Sequence, residues 1–379
     1  MLESVQISNL LSFGSEPQKL ALSNLNILIG PNGCGKSNLV ACLNLLCKSS
    51  DDLTKAFDGP ILDWLHKPFS RPPVAFIKTT YRSYREGAFR LEHVLSFTAE
   101  NQFLKISNEK ISKLEGDSSS LLFAHNEDTA LIYSSEGRMR ELAWQSNDRN
   151  RSVLSQRRDP ELYPEITELS VAYQSMSFYY MQNKPPRGLQ RADLPNGILT
   201  QQVDNLAMVL MRLRLYSEIE DKLNHYLSEY FGSYRRLLTL VQGGYCEILI
   251  EEESLAQIPA SRLSDGTLRF ITLLAILLNP EPPPLICIEE PEICQHPDSI
   301  PLIAELLVDA AQRTQIIVTT HSVELVDTFS EDPEKVIVCE KNDTTTTFDS
   351  LDPDSLKAWL ENYSLGHLWT SGEIGGNRW

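Results

Sequence analysis

The sequence predicts an α/β fold with a mixed, mainly parallel core sheet, an antiparallel β lobe and a short helical lobe. Three observations carry that expectation. Residues 285–288 (LICI) are apolar without alternation, the pattern of a strand covered on both faces as in a parallel sheet, and 25–29 (LNILI) read as a strand feeding a glycine-rich loop. The last third of the chain alternates strand and helix periodicity, in "LICIEE", "IPLIAELLVDAAQR" and "TQIIVTTHS". Residues 72–133 instead break into short strands separated by turn formers, which predicts antiparallel pairing.

Taken in order, "ESVQISNLLSFG" alternates as a strand should. "SNLNILIGPNGCGKSN" follows as a strand feeding a glycine-rich loop, and "SNLVACLNLLCK" has helical spacing. The antiparallel segments are "PVAFIKTTYRSY", "AFRLEHVLSFTAE", "NQFLKISNEKISKL" and "TALIYSS". Residues 160–240 read as mostly helical, from "TQQVDNLAMVLMRLRLY" through "YFGSYRRLL", with "NKPPRG" as a loop before them and Met208 and Met211 as packing residues. No heptad array is sustained, so a long coiled coil is excluded. The sheet is expected to resume with "YCEILIEEE". The glycine-rich tail "SLGHLWTSGEIGGNRW" caps the fold or meets a partner. The division this suggests is 1–155 and 245–379 as two parts of one core, with 156–244 as a helical insertion.

Composition narrows the function classes. An apolar fraction of 42% and a charged fraction of 22% are ordinary for a globular chain. The apolar run 270–278 is too short to span a membrane. The start "MLESVQISNL" has no basic n-region, so a cytoplasmic location is expected. Seven scattered cysteines form no CxxC or Cys/His cluster and read as reduced, small apolar residues. A net charge of −17 repels phosphate backbones, which counts against direct nucleic-acid binding. Between Arg138 and Arg191, nine Lys/Arg (Arg138, Arg140, Arg149, Arg151, Arg157, Arg158, Lys184, Arg187, Arg191) face six Asp/Glu, an excess that reads as a solvated face with internal ion pairs.

The most specific motif is Gly30-Pro31-Asn32-Gly33-Cys34-Gly35-Lys36-Ser37, followed by Asn38, in a strand-loop-helix setting. It matches GxxxxGK[ST]: glycines let successive backbone N–H groups converge on phosphates, Lys36 reaches the β- and γ-phosphates, and the Ser37 hydroxyl can ligate magnesium. Glu289 and Glu290 end an apolar strand, a costly placement unless a cation or ligand compensates it. With a P-loop in the chain, Glu289 is expected in the magnesium shell and Glu290 beside the attacking water. Ser264 begins "LSDGT" just ahead of an apolar helix, where its hydroxyl and the first amides make an anion site. His321 follows the strand of "IIVTTHS". A GTPase reading finds no NKxD-like motif, since "EKND" at 340–343 does not fit.

The order of "GPNGCGKSN", "SVLSQRRDP", "LSDGTLRF", "ICIEEPEICQHP" and "VTTHS" resembles an ABC-type ATPase of the RecF, SMC and OLD group, in its compact bacterial branch without a coiled coil. The resemblance covers nearly the whole chain. It implies a P-loop NTPase with an ABC-ATPase-like head, ATP and Mg²⁺ as ligands, and a homodimer sandwiching two ATPs head to tail. Under it, Gln156 is the Q-loop glutamine sensing magnesium and γ-phosphate, and Ser264 and Gly266 are the signature offered to the partner's ATP. Glu290 is the catalytic glutamate, His321 the switch histidine and Glu289 a metal-side carboxylate. Two departures stand out: Leu11 where relatives often place Lys or Arg near the adenine, and Asp265 where transporter relatives have Gly.

The leading expectation is an ATP-switched dimeric ATPase in anti-phage defence or DNA maintenance. Its effector is expected on a separate chain, because no acidic nuclease segment follows the core within these residues. The alternatives are a slow-turnover scaffold holding a toxin or TOPRIM-like nuclease, and RecF-like DNA repair.

Overall fold

The computed structural model describes residues 1–68, 70–83, 88–116, 118–126, 129–142 and 150–376. Arg149 and the last three residues of the tail lie outside them. The chain divides into two compact units. One comprises Met1–Met176, Ile337–Leu351 and Gly372–Trp379; the other comprises Ser177–Val336 and Asp352–Ser371.

The first unit holds an eight-stranded antiparallel sheet, in spatial order Gln18–Ala21, Leu2–Ser8, Ala75–Arg82, Arg90–Glu100, Phe103–Glu115, Ser118–His125, Ala130–Tyr133 and Met139–Glu141. Period-2 burial explains the pairing: in Ala75–Arg82 the residues Ala75, Ile77, Thr79 and Tyr81 are buried in alternation. The strand Leu25–Ile29 is buried throughout and leads through the glycine loop into the helix Lys36–Ser49. That helix buries Leu39, Val40, Leu43, Leu46 and Cys47, the stripe a 3.6-residue repeat turns inward. The strands Val336–Asn342 and Thr345–Ser350 form an antiparallel hairpin.

A buried polar cluster ties the short helix Val153–Gln156 to the antiparallel sheet. Glu109, fully buried, accepts from the Ser152 hydroxyl at 2.5 Å and the Val153 N–H at 2.9 Å, and the His93 ring nitrogen lies 3.2 Å away. Ser152 in turn caps the helix by accepting from the Leu154 N–H. Such a carboxylate is tolerable inside a protein because both of its oxygens are engaged.

In the second unit Ser177–Tyr180, Leu285–Glu289 and Gln315–Thr319 form parallel pairs, with Phe178 opposite Cys287 and Ile286 opposite Ile316. The latter two strands are buried at every residue: their apolar centres, 285–288 and 316–318, and the polar residues Glu289, Gln315 and Thr319 at their ends. The helices Asp265–Leu277 and Ile300–Ala310 pack together.

The structure corrects two readings. Residues 160–240 are not continuously helical: after the helix Pro164–Gln174 come a strand and a loop, then helices Leu206–Leu213 and Ser217–Tyr230, then the strand Tyr234–Gln242. That strand pairs with Tyr245–Glu252 across a two-residue Gly243-Gly244 turn, both glycines having positive φ (58° and 81°). "YCEILIEEE" therefore does not resume the parallel sheet; it is the middle of a separate antiparallel sheet with Gln190–Arg191, Tyr234–Gln242 and Gln257–Pro259. All seven cysteines are free, as read, and six are buried. Of the basic stretch, Arg138 pairs with Glu136, Arg187 with Asp265 and Arg191 with Asp193. No helix among the described residues is long and apolar enough to cross a membrane.

Glu109→Ala leaves the Ser152 hydroxyl and the Val153 N–H without their buried acceptor and should lower unfolding free energy by about 3 kcal/mol. Urea denaturation checks this; an unchanged midpoint would show that the cluster is not holding the 153–156 helix.

Candidate functional site

The sequence-predicted residues fall on both units, and each set has its own geometry. On the first, the loop from Gly30 to Gly35 turns through three left-handed glycines, with φ of 141° at Gly30, 79° at Gly33 and 115° at Gly35. At two of them space is also forbidden. A Cβ at Gly30 would sit 2.2 Å from the Cys339 carbonyl oxygen, and one at Gly35 would sit 2.2 Å from the Thr346 hydroxyl and 2.8 Å from that of Ser12. Gly33 has open space around it and needs glycine for its backbone alone.

The loop is fastened from behind. The Thr346 hydroxyl donates to the Cys34 carbonyl at 2.6 Å, the Thr346 N–H donates to the Ser12 carbonyl at 2.8 Å, and Asn38 donates its side-chain amide to the Ser12 hydroxyl at 2.7 Å. Gly35 caps the helix with no side-chain acceptor, and no acidic residue stands in the first turn. The helix N-terminus thus keeps its amides for an anion. The Lys36 ammonium is folded into the loop, donating to the carbonyls of Gly30 at 2.7 Å and Pro31 at 3.2 Å and lying 3.7 Å from the Cys34 sulfur. Pro31, Asn32, Gly33 and Cys34 line a cavity of about 220 Å³. Ser37 and Asn32 are exposed. Gln156 ends the helix capped by Ser152 and donates to the Arg151 carbonyl at 3.3 Å.

On the second unit, Glu289 is buried at the end of its strand, opposite Thr319 and Tyr180. Glu290 is left-handed, with φ of 52°, a conformation costing a non-glycine residue on the order of 1 kcal/mol. It is held there by its N–H to the Thr319 carbonyl at 2.9 Å and by its own carbonyl, which accepts from Ile293 at 3.1 Å. Its carboxylate accepts from the Gln182 side-chain amide at 3.2 Å, and the His321 ring lies 3.8 Å away. Glu289, Glu290 and His321 are thereby gathered at the ends of two neighbouring parallel strands.

Sequence reasoning assigned nothing to Glu292, which organises this cluster. One of its oxygens accepts from the Thr320 hydroxyl at 2.7 Å and from the His321 N–H at 2.8 Å, so it fixes the turn carrying the histidine. The other is buried without a partner, and burial holds the Glu292 carboxyl above the usual glutamate range. Gln182 was missed too; only the pairing of Ser177–Tyr180 with the acidic strand brings it there.

Ser264 caps the helix Asp265–Leu277, its hydroxyl accepting from the Thr267 N–H at 3.1 Å. Arg187 clamps this turn: it donates to the Leu263 carbonyl at 2.6 Å and to the Asp265 carboxylate, and that hydrogen bond holds Asp265 below the usual range. Gly266 has a reason inside its own chain, since a Cβ there would sit 2.3 Å from the Cys294 carbonyl. Gln295 donates to the Gly266 carbonyl at 3.0 Å and accepts from the Tyr230 hydroxyl at 3.1 Å, while the Tyr230 ring stacks on Phe270 at 4.2 Å. The segment after the acidic strand, the start of the signature helix and the end of the helix Ser217–Tyr230 are thus one packed contact.

With this geometry in place, the comparisons with known proteins decide the family. Residues 25–327 match the family model described as "AAA domain, putative AbiEii toxin, Type IV TA system". The chain belongs to this AAA ATPase family. Among solved structures it is similar to an Smc head bound to the C-terminal winged-helix domain of ScpA (12% identity, TM-score 0.58, covering 93% of this chain and 99% of that one). It is also similar to the Smc head with an extended coiled coil bound to the C-terminal domain of ScpA, from Pyrococcus furiosus (12% identity, TM-score 0.56, covering 95% and 98%). At these identities the likeness shows the fold, that of the SMC-type, ABC-like P-loop head, as the sequence predicts. No curated protein matches the chain.

Gly35→Ala should abolish binding of a fluorescent ATP analogue, because the methyl collides with Thr346 and Ser12. Gly33→Ala, strained by only about 1 kcal/mol, should retain binding within about tenfold. Equal losses at both positions would show that backbone freedom, not close packing, makes the loop.

Proposed function

We propose that the protein is an ATP hydrolase working as an ATP-switched homodimer. The observation that carries the reading is the placement of Glu290, held in a left-handed turn at the mouth of a buried parallel strand with Gln182 and His321 around its carboxylate. A strained, restrained carboxylate in a family that carries a P-loop is suited to polarising a water molecule, a role worth roughly 10²- to 10⁴-fold in rate.

ATP is the substrate, and the residues fit it. The loop turns on Gly30 and Gly35, where no Cβ fits, and the Lys36 ammonium, now satisfied by loop carbonyls, has anionic phosphate as a stronger acceptor. Ser37 on the first unit and Glu289 on the second are each a hard oxygen donor of the kind magnesium prefers, and we assign both to it. Among the described residues no three His, Cys, Asp or Glu converge on a metal position, so phosphates and water would complete its shell. When bound, magnesium neutralises charge on the β- and γ-phosphates. Gln156 would contact that ion, Glu290 would take the proton of the attacking water, and His321, steadied through Glu292, would donate toward the γ-phosphate.

The Ser264 and Gly266 turn is offered to ATP on a second chain. Such a shared γ-phosphate is a ligand of the closed dimer only, so it biases an open/closed equilibrium and hydrolysis releases it. The Tyr230 contact with Phe270 and Gln295 gives the helix Ser217–Tyr230 a direct connection to that turn, and we assign this helix the output.

A second reading shares the same site: a slow-turnover scaffold whose ATP-held dimer presents an effector. It is favoured by the family's description as a putative AbiEii toxin of a type IV toxin–antitoxin system, and by the Smc heads solved with ScpA domains bound. Both readings put the protein in partner-mediated defence or DNA maintenance. The net charge of −17 ranks direct, RecF-like DNA binding behind them.

ATP turnover and solution mass, measured together for wild type and Glu290→Gln, test this. The expected result is turnover in the wild type, a loss of at least about 100-fold in the variant, and an ATP-dependent dimer that accumulates in the variant. If neither protein turns over and a fixed oligomer persists, the scaffold reading replaces the hydrolase.

A further inference from the structure

Cys34 sits inside the P-loop and faces a second thiol. Its side chain neighbours that of Cys339, on the strand Val336–Asn342, and both cysteines are buried. The two residues converge on Gly30: a Cβ there would lie 2.9 Å from the Cys34 sulfur and 2.2 Å from the Cys339 carbonyl oxygen. The Lys36 ammonium stands 3.7 Å from the Cys34 sulfur. This places two thiols, one next to a fixed cation, within the loop that would hold phosphate.

The other cysteines differ in kind. Burial raises the thiols of Cys42, Cys47 and Cys246, which disfavours the reactive thiolate. Cys34 goes the other way: the hydrogen bond with Cys339, supported by the charge of Lys36, pulls it down to about 6 against the effect of burial. Cys339, buried beside it, is raised. A nucleophilic thiolate next to a protonated thiol is the arrangement of an attacking and a resolving cysteine. The cavity of about 220 Å³ that Cys34 helps to line has room for a molecule as small as hydrogen peroxide.

We propose that Cys34 and Cys339 form a peroxide-sensitive thiol pair whose oxidation to a disulfide closes the P-loop to nucleotide. In the first step the Cys34 thiolate attacks one oxygen of hydrogen peroxide, the O–O bond breaks, and hydroxide leaves and is protonated to water, giving a sulfenic acid. In the second step the Cys339 sulfur attacks the Cys34 sulfur. The S–S bond forms, the S–O bond breaks, and the departing hydroxide takes the Cys339 proton as a second water. The two thiols lose two electrons and peroxide gains them. The disulfide sets the sulfurs about 2.05 Å apart. That draws Cys34 toward the strand and pulls on the turn closed by its N–H to the Pro31 carbonyl at 3.3 Å, which shapes the loop.

The test is peptide mapping of the full chain after brief hydrogen peroxide treatment, without nucleotide, followed by binding of a fluorescent ATP analogue before and after dithiothreitol. The expected results are a Cys34–Cys339 crosslinked peptide and at least a tenfold loss of binding, both reversed by dithiothreitol. In Cys339→Ser, dimedone should trap the Cys34 sulfenic acid and no crosslink should form. Absence of the crosslink in wild type, or dimedone labelling of the exposed Cys294 with Cys34 untouched, overturns the pair. A crosslink that leaves binding unchanged overturns its control of the loop. Only the binding readout rests on the ATP reading; the crosslink is scored without nucleotide, so a protein that never bound the analogue would still decide the thiol chemistry.

Discussion

The nucleotide end of this protein depends on a lack of room. Beside Gly30 stands the carbonyl of Cys339, and beside Gly35 stand the hydroxyls of Thr346 and Ser12, each closer than any side chain tolerates. The hairpin Val336–Asn342 and Thr345–Ser350 fastens the loop from behind through the Thr346 hydroxyl on the Cys34 carbonyl. Residues separated by three hundred positions in sequence thus shape one loop. The Lys36 ammonium is stored on the loop's own carbonyls. A phosphate that takes over this ammonium replaces neutral acceptors with charged ones, which is favourable without any rearrangement of the backbone.

The acidic strand uses a related economy of means. Its apolar residues bury it on both faces, so the carboxylates can stand only at its end. There the chain turns left-handed at Glu290, and the turn is held by the neighbouring strand through Thr319 and by Glu292 through Thr320 and His321. Glu292 combines a satisfied oxygen with a buried unpartnered one. It serves by holding the backbone of the histidine turn, a task that an uncharged acceptor of the same shape could perform.

What was legible in the sequence follows from what is local. The strand-loop-helix of the P-loop, the unbroken apolar strands and the alternating lobe are set by neighbours along the chain, and each appears where its pattern places it. The cap at Ser264 is local as well. The strand Tyr234–Gln242 was hidden because Tyr234, Leu237, Leu238 and Val241 also match helical spacing; the signal that could have revealed it was Gly243-Gly244, a pair suited to a two-residue hairpin turn. Gln182, Arg187 and Glu292 were illegible for a different reason. Each gains its meaning from a partner on another element, and a lone glutamine, arginine or glutamate in a polar stretch carries no pattern. Gly266 shows the opposite case: the motif identified it, while the structure adds a packing reason, the Cys294 carbonyl, that the motif does not contain.

The central claim is that ATP held by the P-loop of one chain is completed by the signature of another. Subunit mixing tests it directly. Lys36→Ala and Ser264→Arg, each inactive alone, should together regain about one quarter of wild-type ATP turnover, since about half of all dimers would be mixed and each of those would hold one site with an intact loop and an intact signature. No recovery on mixing, with exchange of subunits verified, would show that Ser264 does not act across a dimer, and the ATP-sandwich account would fall.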